Sequence, residues 1–364
     1  MADYSSTSSS EYEAFASVPQ RHMPVAAIGA VLVVLLFELF IQTNRSRFED
    51  GIEANLHAKR DIMRSGTVRD DVAIFGDSKF FSVRPDVVST AIGAHTQASN
   101  YSWPFMGIEA YDAMLRTYLL YKPAPKLILV NARPEMTGMP ERCNAMDAAP
   151  AHRVRAYEAL PLRTLWETIV LDKSWYLLWD RIAYALQPPS AQHKKTVWPA
   201  VKRLIRGRGW PLPTEDYVRM TSDFNATGAF LMHRKREVPK AEVLDLEKLL
   251  GPYGVYENKR QVAAFERFLT RAEDAGTTVL MLGVPMAPPL HQRFEAVGAN
   301  AGYLRLTNSW QQRFANFRVL EPLLYTYPLD HFGDPGHVNF KGDAQFQKDY
   351  ASALKSFSGM LSGK

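Results

Sequence analysis

One segment limits the fold before any other is read: residues 24–41 are apolar apart from Glu38. About 20 helical residues at 1.5 Å each cross a hydrocarbon core of about 30 Å. A helix apolar on every face has no stable place on the surface of a water-soluble domain. Residues 23–42 therefore read as a single transmembrane helix, with a buried core helix as the alternative, disfavoured because the run sits behind a polar tail. Glu38-Leu39-Phe40-Ile41-Gln42 offers no small-residue cleavage site, so the helix reads as a retained anchor and not a signal peptide. Glu38 stands about one turn from the polar end, which favours snorkelling towards the headgroups over contact with another protein helix. Residues 1–22, rich in Ser and acidic groups, read as a disordered tail, and 43–70 as a juxtamembrane connector. Arg21 precedes the span while Arg45, Arg47, Lys59 and Arg60 follow it, so the positive-inside count alone puts the large domain in the cytoplasm.

Residues 71–364 are long enough, in a chain of 364 residues with 46% hydrophobic content, to bury a full core. Asp71-Val72-Ala73-Ile74-Phe75 reads as a buried strand ending at Gly76, and 126–130 as a second. Helical spacing at Ala110, Met114, Leu115, Tyr118 and Leu119 lies between them. A further helix is expected from Pro85 to Ile92. Strand, helix, strand in that order predicts a parallel sheet with right-handed crossovers. Between about 140 and 259 the pattern turns helical, around 162–186 and 240–250, with proline-rich breaks. The α/β pattern then returns: a helix over 261–275, strands at 277–282 and 318–320, and a last helix over 342–357.

The formal charge of +5 and a pI near 9.1 come with no nucleic-acid recognition motif, so nucleic acid is not an expected partner. Cys143 is the only cysteine, which excludes an internal disulfide and a multi-cysteine metal site. No glycine-rich phosphate loop and no His/Asp cluster at metal spacing is present, and no cofactor or metal is expected. The basic run Lys194, Lys195, Lys202, Arg203, Arg206 and Arg208 is interleaved with Trp198 and Trp210. A solvated helix face is favoured for it, with an anionic membrane surface, an acidic polysaccharide or a protein partner as alternatives. Tryptophans at helical spacing, such as Trp175 and Trp179, are expected in the core more than as sugar platforms.

Two places can carry chemistry. In Gly76-Asp77-Ser78-Lys79 a serine follows a buried strand on a turn leading to a helix, where its hydroxyl is exposed near helix N-terminal amides, as an acyl-accepting nucleophile requires. Far downstream, Asp334-Pro335-Gly336-His337 sets a carboxylate three residues before a histidine. That carboxylate can hold the imidazole Nδ1–H and turn Nε2 towards a serine. Ser78, Asp334 and His337 then form a catalytic triad in that chain order.

These motifs resemble the SGNH (GDSL-like) hydrolase superfamily: a Gly-Asp-Ser block after the first strand, a second block over 100–107, and a terminal Asp-x-x-His at Asp334 and His337. The likeness covers 71–135 and 277–355. Within the superfamily the chain looks most like membrane-anchored members acting on bacterial cell-surface polymers, in polysaccharide O-acetylation and teichoic-acid D-alanylation. The resemblance implies an α/β fold of SGNH (flavodoxin-like) type, a parallel sheet flanked by helices, here with a helical insertion and an N-terminal transmembrane helix. It implies an oxyanion hole from the Ser78 amide, the Gly107 amide and an Asn side chain. Leu129-Val130-Asn131-Ala132-Arg133-Pro134 replaces the family's Gly-x-Asn-Asp, so Asn131 is the candidate third donor. Arg133 either binds an anionic substrate group or pairs with Glu135. The implied activity is an acyltransferase or carbohydrate esterase acting on O-acyl, foremost acetyl, groups. The implied partners are a cell-surface polysaccharide and a multi-spanning membrane acyltransferase. The implied location is the bacterial inner membrane, single-pass, with an extracytoplasmic catalytic domain, against the charge count. The alternative is a non-catalytic glycan-binding scaffold for such an acyltransferase.

Overall fold

The computed structural model describes residues 25–44, 48, 51–65, 70–93, 95–103, 107–108, 110–138, 160–171, 175–207, 228–229, 237 and 258–357. The expected tail over 1–22 and helix over 240–250 lie outside them. Two helices come first, α1 (Val25–Thr43) and α2 (Gly51–Arg64). Next are β1 (Val72–Phe75), α3 (Pro85–Ile92), β2 (Ala98–Asn100), α4 (Ala110–Tyr121), β3 (Leu127–Asn131) and the short α5 (Glu135–Gly138). The insertion contributes α6 (Leu162–Leu171), α7 (Trp175–Ala185), α8 (Pro189–Gln192) and α9 (Lys194–Ile205). The chain closes with α10 (Lys259–Asp274), β4 (Thr278–Met286), α11 (Pro288–Ala296), α12 (Ala299–Arg313), β5 (Phe317–Thr326), the hairpin β6 (Phe332–Asp334) and β7 (His337–Val338), and α13 (Phe340–Lys355).

The sheet has five strands in the order β2-β1-β3-β4-β5, and every pairing is parallel. A parallel sheet is covered on both faces, so its central strands are apolar throughout; β1 and β3 are buried at every position. Successive side chains take opposite faces. Phe75, Ile128, Val130, Val279 and Met281 pack with Tyr111, Met114, Phe265 and Phe268 of α4 and α10. Ile74, Leu129, Leu280 and Leu282 pack with Val88 of α3 and with Phe346, Tyr350 and Leu354 of α13. The strand order reverses between β1 and β3, and in open α/β sheets the crevice at the carboxyl ends of the strands flanking such a reversal is where ligands bind.

The α/β pattern expected from the sequence is thus present, with β4 and β5 longer than expected. β4 continues through Gly283 and Pro285, past a register irregularity between Leu282 and Val284. A Cβ on Gly283 would lie 2.4 Å from the Pro322 carbonyl oxygen, so these strands approach too closely there for any side chain.

Among the described residues no helix is long and apolar enough to cross a membrane; α1 has 19 residues, and its side chains are described from Ala27 onwards. Ile28, Val31 to Leu36 and Leu39 are exposed, whereas Ile41 is buried against Phe48, Val197 and Ala200. Glu38 meets another helix of the chain, the less favoured of its two readings: its carboxylate accepts the backbone N–H of Ser190 at 2.8 Å and also the Ser190 hydroxyl. Ser190 lies in the first turn of α8, where unpaired amides favour an anion. The tryptophans correct an expectation, because Trp166, Trp175, Trp179 and Trp198 are exposed and not core. Trp210 lies outside the described residues.

Candidate active site

β1 delivers the chain to a tight turn. Gly76 is needed there because a Cβ would sit 2.6 Å from Phe80 Cβ and 2.9 Å from Asn131 Oδ1. Asp77 then caps a 3₁₀ turn, Ser78–Phe80, by accepting the Lys79 amide at 2.9 Å. Ser78 opens that turn, where the first amides of a helix have no acceptor within it. From the far side, Asn100 Nδ2 donates to the carbonyls of Phe80 and Val83, both at 2.8 Å. Trp103 N–H donates to the Gly76 carbonyl at 2.9 Å. Residues 100–103 therefore lie along the Ser78 turn. Gly107 is buried just before α4, its carbonyl accepting the Ala110 amide at 3.0 Å.

The second half of the site is the β6–β7 hairpin, in which Asp334 and His337 are directly opposed cross-strand partners joined by Pro335-Gly336. Each Asp334 carboxylate oxygen is 2.8 Å from His337 Nδ1, and Oδ1 also accepts the Gly336 amide at 2.8 Å. His337 Nε2 is 2.7 Å from Ser78 Oγ. All three residues are half-buried, open to a reactant yet partly screened from water. The hairpin is held by Asn339, a buried side chain that caps α13 through the Lys341 amide at 3.0 Å and donates to the Asp330 carbonyl at 2.7 Å. Asp330 pairs with its neighbour His331 and with Lys341, beside the triad and not within it.

Asn131, at the end of β3, is fully buried. Its Oδ1 accepts the Asp77 amide at 3.2 Å and the Tyr111 hydroxyl at 2.6 Å, and its Nδ2 donates to the Ala132 carbonyl at 3.2 Å. The amide orientation follows from the network, since a backbone N–H must meet the carbonyl oxygen. Burial, together with the Asp77 charge, keeps the Tyr111 phenol raised and protonated to donate this bond. Arg133 Nη1 pairs with Asp77 at 3.0 Å and Nε lies 4.0 Å from Glu135, while Lys79 pairs with Glu135. Of the two roles open for Arg133, the internal pairing is thus present, though chiefly with Asp77. Burial pushes the Glu135 carboxyl up, but Lys79 and Arg133 outweigh it and hold it below the usual range. Lys79 and Arg133 so pair with Asp77 and Glu135 beside Ser78.

The sequence reading gave no site role to Tyr111 or Lys59, and took Asn100 only as the start of the 100–107 block. Lys59 of α2 is wholly buried, donating to the Ser102 carbonyl at 2.6 Å with its ammonium 4.6 Å from the centre of the Phe81 ring. Burial pushes its pKa well below the ordinary value. The expected connector therefore contains a helix packed behind the Ser78 turn, on which Lys59 shares the buried face with Leu56 and Met63.

No protein-family profile matches the chain, and no curated protein matches it. Among solved structures, one from Streptococcus pneumonia, whose description proposes a platelet activating factor, is 12% identical over 88% of this chain and 99% of that one, with a TM-score of 0.33. A score that low establishes neither a shared fold nor shared chemistry.

Proposed function

We propose that this chain is a membrane-anchored SGNH-type enzyme that transfers or hydrolyses O-acyl groups, acetyl foremost, of a bacterial cell-surface polysaccharide. The observation that carries the proposal is the hydrogen-bonded line from Asp334 through His337 to Ser78 Oγ, with 2.8 and 2.7 Å steps. His337 Nε2 takes the hydroxyl proton as Ser78 Oγ bonds to the acyl carbonyl carbon, and Asp334 stabilises the imidazolium that forms. The tetrahedral oxyanion faces the Ser78 amide, with the Gly107 amide and Asn131 Nδ2 as the further donors that the SGNH resemblance suggests. Collapse breaks the bond to the donor's oxygen, which leaves with the proton from His337. The acyl-Ser78 ester is then attacked by a sugar hydroxyl or by water, His337 again acting as base. The all-parallel sheet supports the flavodoxin-like part of this reading, and Ser78 follows β1 at the carboxyl edge, where the order reverses.

The bare apolar surface of α1 supports the anchor, and the family likeness supports an extracytoplasmic domain in the bacterial inner membrane, since large domains translocate with little regard to flanking charge. Acyl donors made in the cytoplasm would then reach Ser78 through a multi-spanning partner. The test is an intact-mass measurement on the full chain in detergent, acid-quenched after exposure to an activated acetyl ester. One acetyl group on Ser78, absent from Ser78→Ala, is expected; a folded wild type that never gains mass refutes the proposal.

A further inference from the structure

The exposed apolar residues of the insertion form an ordered surface. Trp175, Trp179 and Ile182 recur at helical spacing along α7, Leu186 follows its last residue, and all four are exposed, Trp179 at 69% and Leu186 at 81%. Such a stripe is what a helix normally buries against a neighbour. Trp166 extends it, its ring 5.7 Å edge-on from Trp175. On α9, Trp198, Leu204 and Ile205 are exposed, Ile205 at 80%, beside exposed Lys202 and Arg206. Apolar and aromatic side chains in this quantity on a water-facing surface mark an interaction site.

The contacts with α1 set where this surface lies. Gln192 at the end of α8 donates to the carbonyls of Tyr184 and Gln187, joining α8 to the end of α7. Ser190 of α8 holds Glu38 of α1, and Val197 and Ala200 of α9 pack on Ile41. Residues 28–36 of α1 are exposed. Glu38 lies five residues before the end of α1 at Thr43, about 8 Å along a helix axis. On the reading of α1 as an anchor that ends at the headgroups, the insertion begins to cover α1 at the depth where interfacial helices rest, about 5–10 Å into the headgroup and acyl boundary. Tryptophan favours that layer, and Lys and Arg favour anionic headgroups.

We propose that the α6–α9 insertion is an interfacial platform, seated by its tryptophan and leucine stripe and the basic edge of α9 in the anionic lipid surface beside α1. It holds the domain against the bilayer at a fixed tilt, with Glu38 locked by Ser190 as the hinge point. The partner is a lipid surface and not a protein groove, because α8 and α9, which adjoin the stripe, pack on the base of α1 and the exposed α9 edge carries Lys202 and Arg206. The proposal rests on the reading of α1 as an anchor, and one probe position separates the two.

The test uses the full chain with Cys143→Ser, reconstituted in vesicles of phosphatidylcholine and phosphatidylglycerol. Single cysteines replace Val33, Leu186, Ile205 or Lys348, each labelled with an environment-sensitive fluorophore. Lys348 is exposed on α13, which covers the other face of the sheet. Labels at 33, 186 and 205 are expected to be quenched by nitroxide lipids and shielded from iodide, with the 348 label showing the reverse. Reversing Lys202 and Arg206 to Glu should lower lipid quenching at 205 in anionic vesicles to the level found in neutral ones. Lipid quenching at 33 with iodide quenching at 186 and 205 overturns the platform while keeping the anchor. Shielding of 186 and 205 from both quenchers also overturns it, showing a protein cover. No lipid quenching at 33 overturns the anchor itself.

Discussion

Asn131 Oδ1 accepts the backbone N–H of Asp77 at 3.2 Å, tying the end of β3 to the turn that presents Ser78. With the Tyr111 hydroxyl on the same oxygen, the carbonyl of this side chain is committed to holding the Ser78 turn, while its Nδ2 donates to the Ala132 carbonyl at 3.2 Å. Asn131→Ala leaves two buried donors unpaired and is expected to cost about 2–4 kcal/mol, with ester turnover falling more than tenfold. Tyr111→Phe removes one donor and keeps the Asp77 bond, so a loss of about 1 kcal/mol with turnover largely retained is expected. Thermal unfolding and ester hydrolysis on the same preparations check both.

Glu135 is the counter-charge for Lys79 and, more distantly, Arg133. Its carboxyl is held below the usual range, so its contribution is fully present above the unfolded value near pH 4.5 and is lost as pH falls through the lower folded value. Glu135→Gln is expected to lower stability by about 1–3 kcal/mol at neutral pH. The gap from wild type should close at strongly acid pH. Denaturant unfolding across that range measures it.

Asp343 works the opposite way. Burial pushes its carboxyl up to about 6 from 3.8, although Ser82 and Gln347 hydrogen-bond it. Between those values the folded protein binds more protons than the unfolded chain, so this group's contribution to stability falls as pH rises through about 4 to 6, by at most about 3 kcal/mol. Asp343→Asn should abolish that dependence and raise the melting temperature at pH 7.5 by a few degrees. An unchanged pH profile in Asp343→Asn would rule out this assignment.

Much of the sheet and the two segments that bring Ser78, His337 and Asp334 into hydrogen-bond contact were legible because their signals are local. Val72 to Phe75 and Leu127 to Val130 are short apolar runs, and Asp334 reaches His337 within a single turn. β2 was missed because Ala98, Ser99 and Asn100 carry no apolar pattern, and β4 was cut short because Gly283 and Pro285 read as breakers although the strand continues through them. Spacing marked Trp175 and Trp179 as one face of a helix, but periodicity does not say whether a face is covered. Glu38 with Ser190 and Arg133 with Asp77 are long-range pairings between elements, and nothing in their local sequence encodes the partner.

The central claim is that Ser78 is an activated nucleophile. Its most direct measurement is fluorophosphonate labelling of the detergent-solubilised full chain, with the modified residue located by peptide mass spectrometry. Labelling at Ser78 is expected, abolished in Ser78→Ala and lowered about a thousandfold or more in rate in His337→Ala and Asp334→Asn. A folded wild type that takes up no label, or takes it up equally after Ser78→Ala, contradicts the claim.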